Sequence, residues 1–141
     1  MTFWQTYYHV IWGTKHREQL INEEREELIR TSLLSTAIEH DAIVRAVGVM
    51  PDHVHVVMSI PPKCAVAELI GRMKGLSSRR ANMTGDGRAG GFAWQPEYGV
   101  FTFGHRALDD IVSYVENQRE IHARRLIRPF FERFDEPFVR S

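Results

Sequence analysis

Two apolar runs, AIVRAVGVM at 42–50 and HVHVVMSI at 53–60, are separated only by Pro51-Asp52. This pair constrains the fold more than any other stretch. Both runs are rich in β-branched residues, and a break that short leaves room only for a tight turn, so the spacing predicts two paired strands. Successive side chains on a strand point to opposite faces. In the second run Val54, Val56, Met58 and Ile60 therefore share one face, and His53, His55, Val57 and Ser59 share the other. The all-apolar face is the one that helices should cover, and the two imidazoles point together toward the opposite side of the sheet.

The rest of the chain supplies the partners. Residues 2–15, TFWQTYYHVIWGTK, are aromatic and β-branched and predict a strand. A helix is expected over 22–40: Asn22 caps it, Glu23 and Glu24 suit its positive end, and Leu28, Ile29, Leu33, Leu34, Ala37 and Ile38 recur at helical spacing. A second amphipathic helix is expected over 65–83, with Val66, Leu69, Ile70, Met73 and Leu76 as its apolar stripe. TGDGRAGG at 84–91 has no packing residues and reads as a loop. A fourth strand is expected near 98–103, and a last helix from about Leu108 to about Ile127, acidic at its start (Asp109, Asp110) and basic at its end (Arg124, Arg125, Arg128), stopped by Pro129. The tail beyond mixes Phe130, Phe131, Phe134 and Phe138 with charges and either packs across a partner or stays loose. The order β-α-β-β-α-β plus a helix gives an α+β, ferredoxin-like antiparallel sheet with two helices on one face. That fold hosts many functions and decides none of them.

A chain of 141 residues suits a single domain spanning 1–141. One cysteine, Cys64, excludes an intramolecular disulfide and a cysteine-built zinc cage, and makes a reducing cytoplasm the expected location. No apolar run approaches the roughly 20 residues of a membrane span, so no membrane role is expected. A net charge of zero argues against binding long duplex DNA by bulk charge but leaves room for a local basic patch.

Two neutral imidazoles at i and i+2 on one strand face can reach one divalent ion, and an oxygen ligand beside them would leave positions open for substrate. The alternative is a pair of solvated strand histidines. A hydrolase barrel with the same strand pair needs about 250 residues, too many for this chain. In the last helix Tyr114 and Gln118 stand one turn apart beside the stripe of Leu108, Ile111, Val112 and Val115. They offer a nucleophile and a hard ligand from one rigid element, or simply a half-buried tyrosine and a surface glutamine.

MPDHVHVVMSIPP (50–62), MKGLSSRR (73–80), WQPEYGVFTF (94–103) and IVSYVENQREIHA (111–123) resemble, in order and approximate spacing, the single-tyrosine HUH transposases of the IS-200/605 insertion-sequence group. The likeness runs from about Tyr8 to about Arg125. A related branch, associated with repeated extragenic palindromes, has an Asn-Pro-rich turn after the tyrosine; here that turn is Glu116-Asn117-Gln118. The resemblance implies a metal-dependent nuclease and strand transferase for single-stranded DNA. His53 and His55 match its histidine ligands, Gln118 its third ligand and Tyr114 its nucleophile. It further implies Mg²⁺ or Mn²⁺, hairpin recognition near the ends of the element, and a homodimer in which the tyrosine helix of one subunit completes the histidine site of the other. A phosphodiester exchanged onto tyrosine needs no ATP, and the chain has no Gly-x-x-x-x-Gly-Lys loop. The other reading is a hairpin-binding protein of the same fold, non-catalytic or domesticated.

Arg72, Lys74, Arg79 and Arg80 lie off the apolar stripe of the second helix; they, with Lys15 and Arg17, either hold phosphates or form an ordinary solvated face. Trp94 and Tyr98 either stack an unpaired base or belong to the core. His122, one turn beyond Gln118, is a further candidate ligand. Gly104 is a possible hinge before the last helix, and Cys64 carries no expected chemistry.

Overall fold

The computed structural model describes residues 2–84, 91–124 and 127–134. Its four strands are β1 (Tyr8–Gly13), β2 (Ile43–Met50), β3 (His53–Ser59) and β4 (Gly99–Thr102), in the spatial order β2-β3-β1-β4 with every neighbouring pair antiparallel. Helix α1 (Glu23–Glu39) follows β1, and α2 (Val66–Ala81) links β3 to β4. This is the β-α-β-β-α-β arrangement that the sequence predicts. The first strand is shorter than the aromatic run suggests: the ladder uses only the residues opposite β3, Tyr8 with Met58 through Gly13 with His53.

Helix α1 starts where Asn22 accepts a hydrogen bond from the Arg25 amide, which satisfies one of the free donors of its first turn. Its buried side is Ile29, Ser32, Leu33, Thr36 and Ala37, whereas Leu34 and Ile38 of the expected stripe are exposed. Packing against α2 selects the narrower face, and the buried hydroxyls of Ser32 and Thr36 are satisfied by the helix's own carbonyls at 2.6 and 2.9 Å. Val10 and Trp12 of β1, Val54, Val56 and Met58 of β3, and Leu69, Ile70 and Met73 of α2 join α1 in one core. Trp94 belongs to that core too. Its indole N–H donates to Ser77 Oγ and its ring meets Trp12 edge-on, so it is a packing residue; Tyr98 packs partly buried against the same cluster.

The opposite face of the sheet is also covered. The expected single last helix is two: α3 (Leu108–Glu116) and α4 (Gln118–Ala123), broken at Asn117, whose φ of −102° and ψ of 26° are not helical. Arg124 caps α4, and Arg128 lies outside any helix in extended backbone, so it does not complement a helix dipole; Arg125 lies outside the described residues. Ile111, Tyr114 and Val115 of α3 pack on Ala46 and Val57 as a second, smaller core. The tail returns over this face through a single turn of 3₁₀-helix, Pro129–Glu132, which brings Phe131 and Phe134 inward. The loop expected at 84–91 lies mostly outside the described residues, as does Phe138. Among the described residues no helix is long and apolar enough to cross a membrane.

Two glycines set how closely that layer approaches. A Cβ on Gly48 would lie 2.3 Å from the Val115 carbonyl oxygen and 2.9 Å from Gln118 Cγ, and one on Gly99 would lie 1.8 Å from the Arg133 carbonyl oxygen. Gly75, on the exposed side of α2, would meet nothing. Gly48→Ala is therefore expected to cost about 1–3 kcal/mol through overpacking, and Gly75→Ala to add about 0.5–1 kcal/mol through helix propensity. Urea denaturation of the two variants beside the parent checks both signs.

Candidate active site

The alternation along β3 sends His53 and His55 to the face that α1 and α2 leave free, but not into solvent. His53 is 1% exposed and His55 fully buried beneath α3, α4 and the tail. Buried imidazoles need partners, and each has one at its Nδ1. His53 Nδ1 donates to Asp52 Oδ1 at 2.6 Å. Asp52 in turn accepts from Arg17 Nε at 3.2 Å, and that guanidinium lies 4.9 Å over the Phe134 ring. His55 Nδ1 pairs with His9 Nε2 at 2.8 Å across the β1–β3 ladder. These bonds leave both Nε2 atoms pointing at one group, the Glu132 carboxylate: His53 Nε2 is 3.3 Å from Oε1 and His55 Nε2 is 3.2 Å from Oε2.

Two further side chains close on the same carboxylate. Tyr114 donates its hydroxyl hydrogen to Glu132 Oε2 at 2.7 Å, and His122 Nε2 lies 3.5 Å from Oε1. Gln118, 2% exposed, donates from Nε2 to the Tyr114 carbonyl, and its Oε1 is 3.0 Å from His122 Nε2. The tail is tied down beside them. The Arg128 amide donates to the Tyr114 hydroxyl at 3.0 Å, and its guanidinium forms a two-bond pair with Asp110 at 2.6 and 3.0 Å.

The electrostatics follow from burial against contact. Burial works against the ionised Glu132 carboxyl, but the contacts from His53 and His55 and the Tyr114 hydroxyl outweigh it and hold the group far below its usual range. Burial would also lower His53, yet its contacts with Asp52 and Glu132 raise it above the ordinary histidine value. His55 and His9 go the other way. Burial dominates at both, His9 falling to about 3 with the neighbouring His55 adding to the effect. Burial, reinforced by the adjacent Glu132 charge, pushes the Tyr114 phenol up to about 12 against the opposing Arg128 amide. At neutral pH the phenol is therefore protonated.

The structure thus brings together His53, His55, Tyr114, Gln118 and His122. The candidate phosphate contacts are scattered. Arg72 and Arg79 project from α2 into solvent. Lys74 donates from Nζ to the carbonyls of Gln95, Pro96 and Glu97 at 2.6, 3.1 and 3.2 Å, so its charge is spent on holding that segment. Arg80 is half-buried, 3.4 Å from Ser32 Oγ. Lys15 is exposed beside a shallow cavity that Arg17, Gln95 and Pro96 also line.

Comparison with known proteins bears on this constellation. Residues 2–118 match the family described as "Transposase IS200 like". The chain belongs to the IS200-like transposases. Its relatives in that family include the ISDra2 transposase TnpA of Deinococcus radiodurans, 31% identical over 121 residues, 83% of this chain and 86% of the relative. The transposase of insertion sequence IS200 from Salmonella typhimurium is 29% identical over 77 residues, 55% of this chain and 51% of the relative. A crystal structure assigned to a transposase of Deinococcus radiodurans R1 superposes with a TM-score of 0.63 at 29% identity, covering 84% of this chain and 95% of that one. A REP-associated tyrosine transposase bound to a REP hairpin shares the fold, with a TM-score of 0.65 at 14% identity over 86% of this chain and 74% of that one.

Three members of this IS200-like site were not anticipated from the sequence. His9 shares a face of β1 with Ile11, which pairs with His55, so period-two spacing and the β1–β3 pairing together place it beside His55. Asp52 reads as part of a turn, though a carboxylate next to a strand histidine is a common orienting partner. Glu132 carries no local signal at all. Because Asp52 accepts from His53 Nδ1 and its charge raises the ring's pKa, Asp52→Ala is expected to lower that pKa, read by NMR titration of the His53 ring protons.

Proposed function

We propose that this protein is a transposase that cuts and rejoins single-stranded DNA at insertion-sequence ends, recognising subterminal hairpins and passing through a 5′-phosphotyrosine on Tyr114. The observation that carries the reading is the convergence of the Tyr114 hydroxyl and the Nε2 atoms of His53 and His55 on one small, water-poor site. His53, His55 and Gln118 would hold a divalent ion, Mg²⁺ or Mn²⁺. The oxygen donors of the site suit such ions, the imidazoles favour Mn²⁺ over the harder Mg²⁺, and the buried Nε2 of His53 has no hydrogen-bond partner among the described residues. When bound there, the ion polarises the scissile phosphate and favours ionisation of the phenol.

The chain's own groups account for the rest of the reaction. Tyr114 Oη forms a bond to phosphorus as the bond from phosphorus to the 3′ oxygen breaks, and that oxygen takes up a proton to become a 3′-OH. Glu132 Oε2 already accepts the phenolic hydrogen and orients the oxygen. The phosphodiester is conserved in the tyrosine ester, so rejoining by a 3′-OH needs no further energy source. Helix α3 buttresses the attacking group through Ile111 and Val115 on the sheet.

The REP-associated relative binds a hairpin, and the equivalent substrate here is a short stem at the ends of the element. Arg72 and Arg79, with Lys15 near the site, would meet its phosphates, with smaller parts for Lys74, Arg80 and Arg17, the last already paired with Asp52. The working form is a homodimer with shared sites. Exchange of α3 and α4 about the segment that contains Gly104 would rebuild the same contacts with the partner's helices.

The test is a labelled single-stranded oligonucleotide carrying the element's end, incubated with Mg²⁺ or Mn²⁺. A covalent protein–DNA product that resists denaturation is expected from the parent and is absent from Tyr114→Phe. Hairpin binding without that product from the parent would mark the chain as a hairpin-binding protein and overturn the reading.

A further inference from the structure

We infer that Glu132, delivered by the C-terminal tail, is itself a ligand of the active-site ion, together with His53 and His122. This rests on the ion-binding part of the function proposed above and changes its ligand set. The donor atoms of His53, His122 and Glu132 all lie within 4.8 Å of one another. The spacing inside that group is informative. Donors that share an ion at about 2.0–2.2 Å stand about 2.9–3.6 Å apart at octahedral to tetrahedral angles. Glu132 Oε1 is 3.3 Å from His53 Nε2 and 3.5 Å from His122 Nε2.

These contacts are also poor substitutes for hydrogen bonds. His53 Nε2 is buried, has the carboxylate next to it, and is still not hydrogen-bonded to it. In the neutral ring the lone pair lies on Nε2, because Asp52 accepts from the proton-bearing Nδ1. A nitrogen so placed, aimed at an anionic oxygen in a buried site, has the arrangement of one ligand facing another. His55 Nε2 lies against both carboxylate oxygens, 3.3 Å from Oε1 and 3.2 Å from Oε2, so it borders the same cluster. Gln118 Oε1, 3.0 Å from His122 Nε2, stands at the edge of the cluster as a further oxygen donor.

A carboxylate in the ligand set changes what the site can hold. Two neutral imidazoles and a neutral amide leave the full double charge of the ion uncompensated in a buried place, whereas Glu132 neutralises half of it. It also couples the ion to the nucleophile, since Oε2 of the same group receives the Tyr114 hydroxyl hydrogen. The tail is held for this purpose at two points on either side of Glu132: Arg128 is paired with Asp110, and the Arg133 carbonyl lies over Gly99, where only a hydrogen atom fits.

The experiment measures Mn²⁺ binding by calorimetry without DNA, on the full chain, for the parent, Glu132→Gln, His122→Ala and Gly75→Ala. Glu132→Gln and His122→Ala are expected to weaken binding by at least about tenfold, with Gly75→Ala, on the exposed side of α2, near the parent value. Unchanged or tighter binding in Glu132→Gln overturns the inference, since it would mean that the carboxylate only fills the place an ion takes. A readout free of variants guards against a folding defect. In the parent labelled with ¹³C at glutamate carboxylates, electron–nuclear double resonance of bound Mn²⁺ shows a strongly coupled carboxylate carbon if Glu132 is a ligand, and none if it is not. Loss of the covalent DNA product with Mn²⁺ binding intact would count against the strand-transfer reading alone.

Discussion

A cluster of polar and charged groups under a layer of protein has to find its partners inside that layer, and here nearly every partner is one carboxylate. Glu132 is the meeting point of one strand, two helices and the tail: His53 and His55 from β3, His122 from α4, and the hydroxyl of Tyr114 from α3. Leaving such groups unpaired would cost on the order of 1–3 kcal/mol apiece. The fold of the second face is therefore tied to the placement of a single side chain, in the way the first face is tied to its apolar core.

The two faces of the sheet divide the tasks. On one, Val54, Val56 and Met58 of β3 meet α1 and α2 in a continuous apolar core. On the other, the alternate residues of the same strand carry chemistry and are backed by a smaller cluster around Ile111 and Val115. Period-two geometry makes this possible, because neighbouring residues of β3 serve stability and reactivity without sharing space. The hydrogen bonds from His53 to Asp52 and from His55 to His9 anchor each ring from behind, so the reacting edges are presented by rigid backbone.

How much of this could be read from the sequence depends on distance along the chain. The strand pair, both long helices and the direction of the two histidines follow from local patterns of two and 3.6 residues, and the structure has them in place. The length of β1 did not follow, because strand ends are set by the partner ladder and not by β propensity. Nor did the exposure of Leu34 and Ile38, where packing between α1 and α2 chose among apolar residues. The break at Asn117 is weakly encoded, since asparagine tolerates the non-helical backbone found there. Glu132 was not legible, because a glutamate in a tail of phenylalanines and charges has no periodicity, and its role arises only when four separate segments are assembled. Tyr114, Gln118 and His122 were legible as candidates on one face; that they meet a residue of the tail was not.

The interruption at Asn117 has a consequence of its own. It makes the oxygen-bearing tyrosine and the pair Gln118 and His122 parts of two short rods joined at a pivot, each seated separately on the sheet. A change in the angle between the rods would re-aim one group while the other keeps its seat. The distance from the Tyr114 hydroxyl to the Gln118 and His122 side chains is thus adjustable by substitutions at the joint alone, with the sheet and its four-strand ladder left untouched.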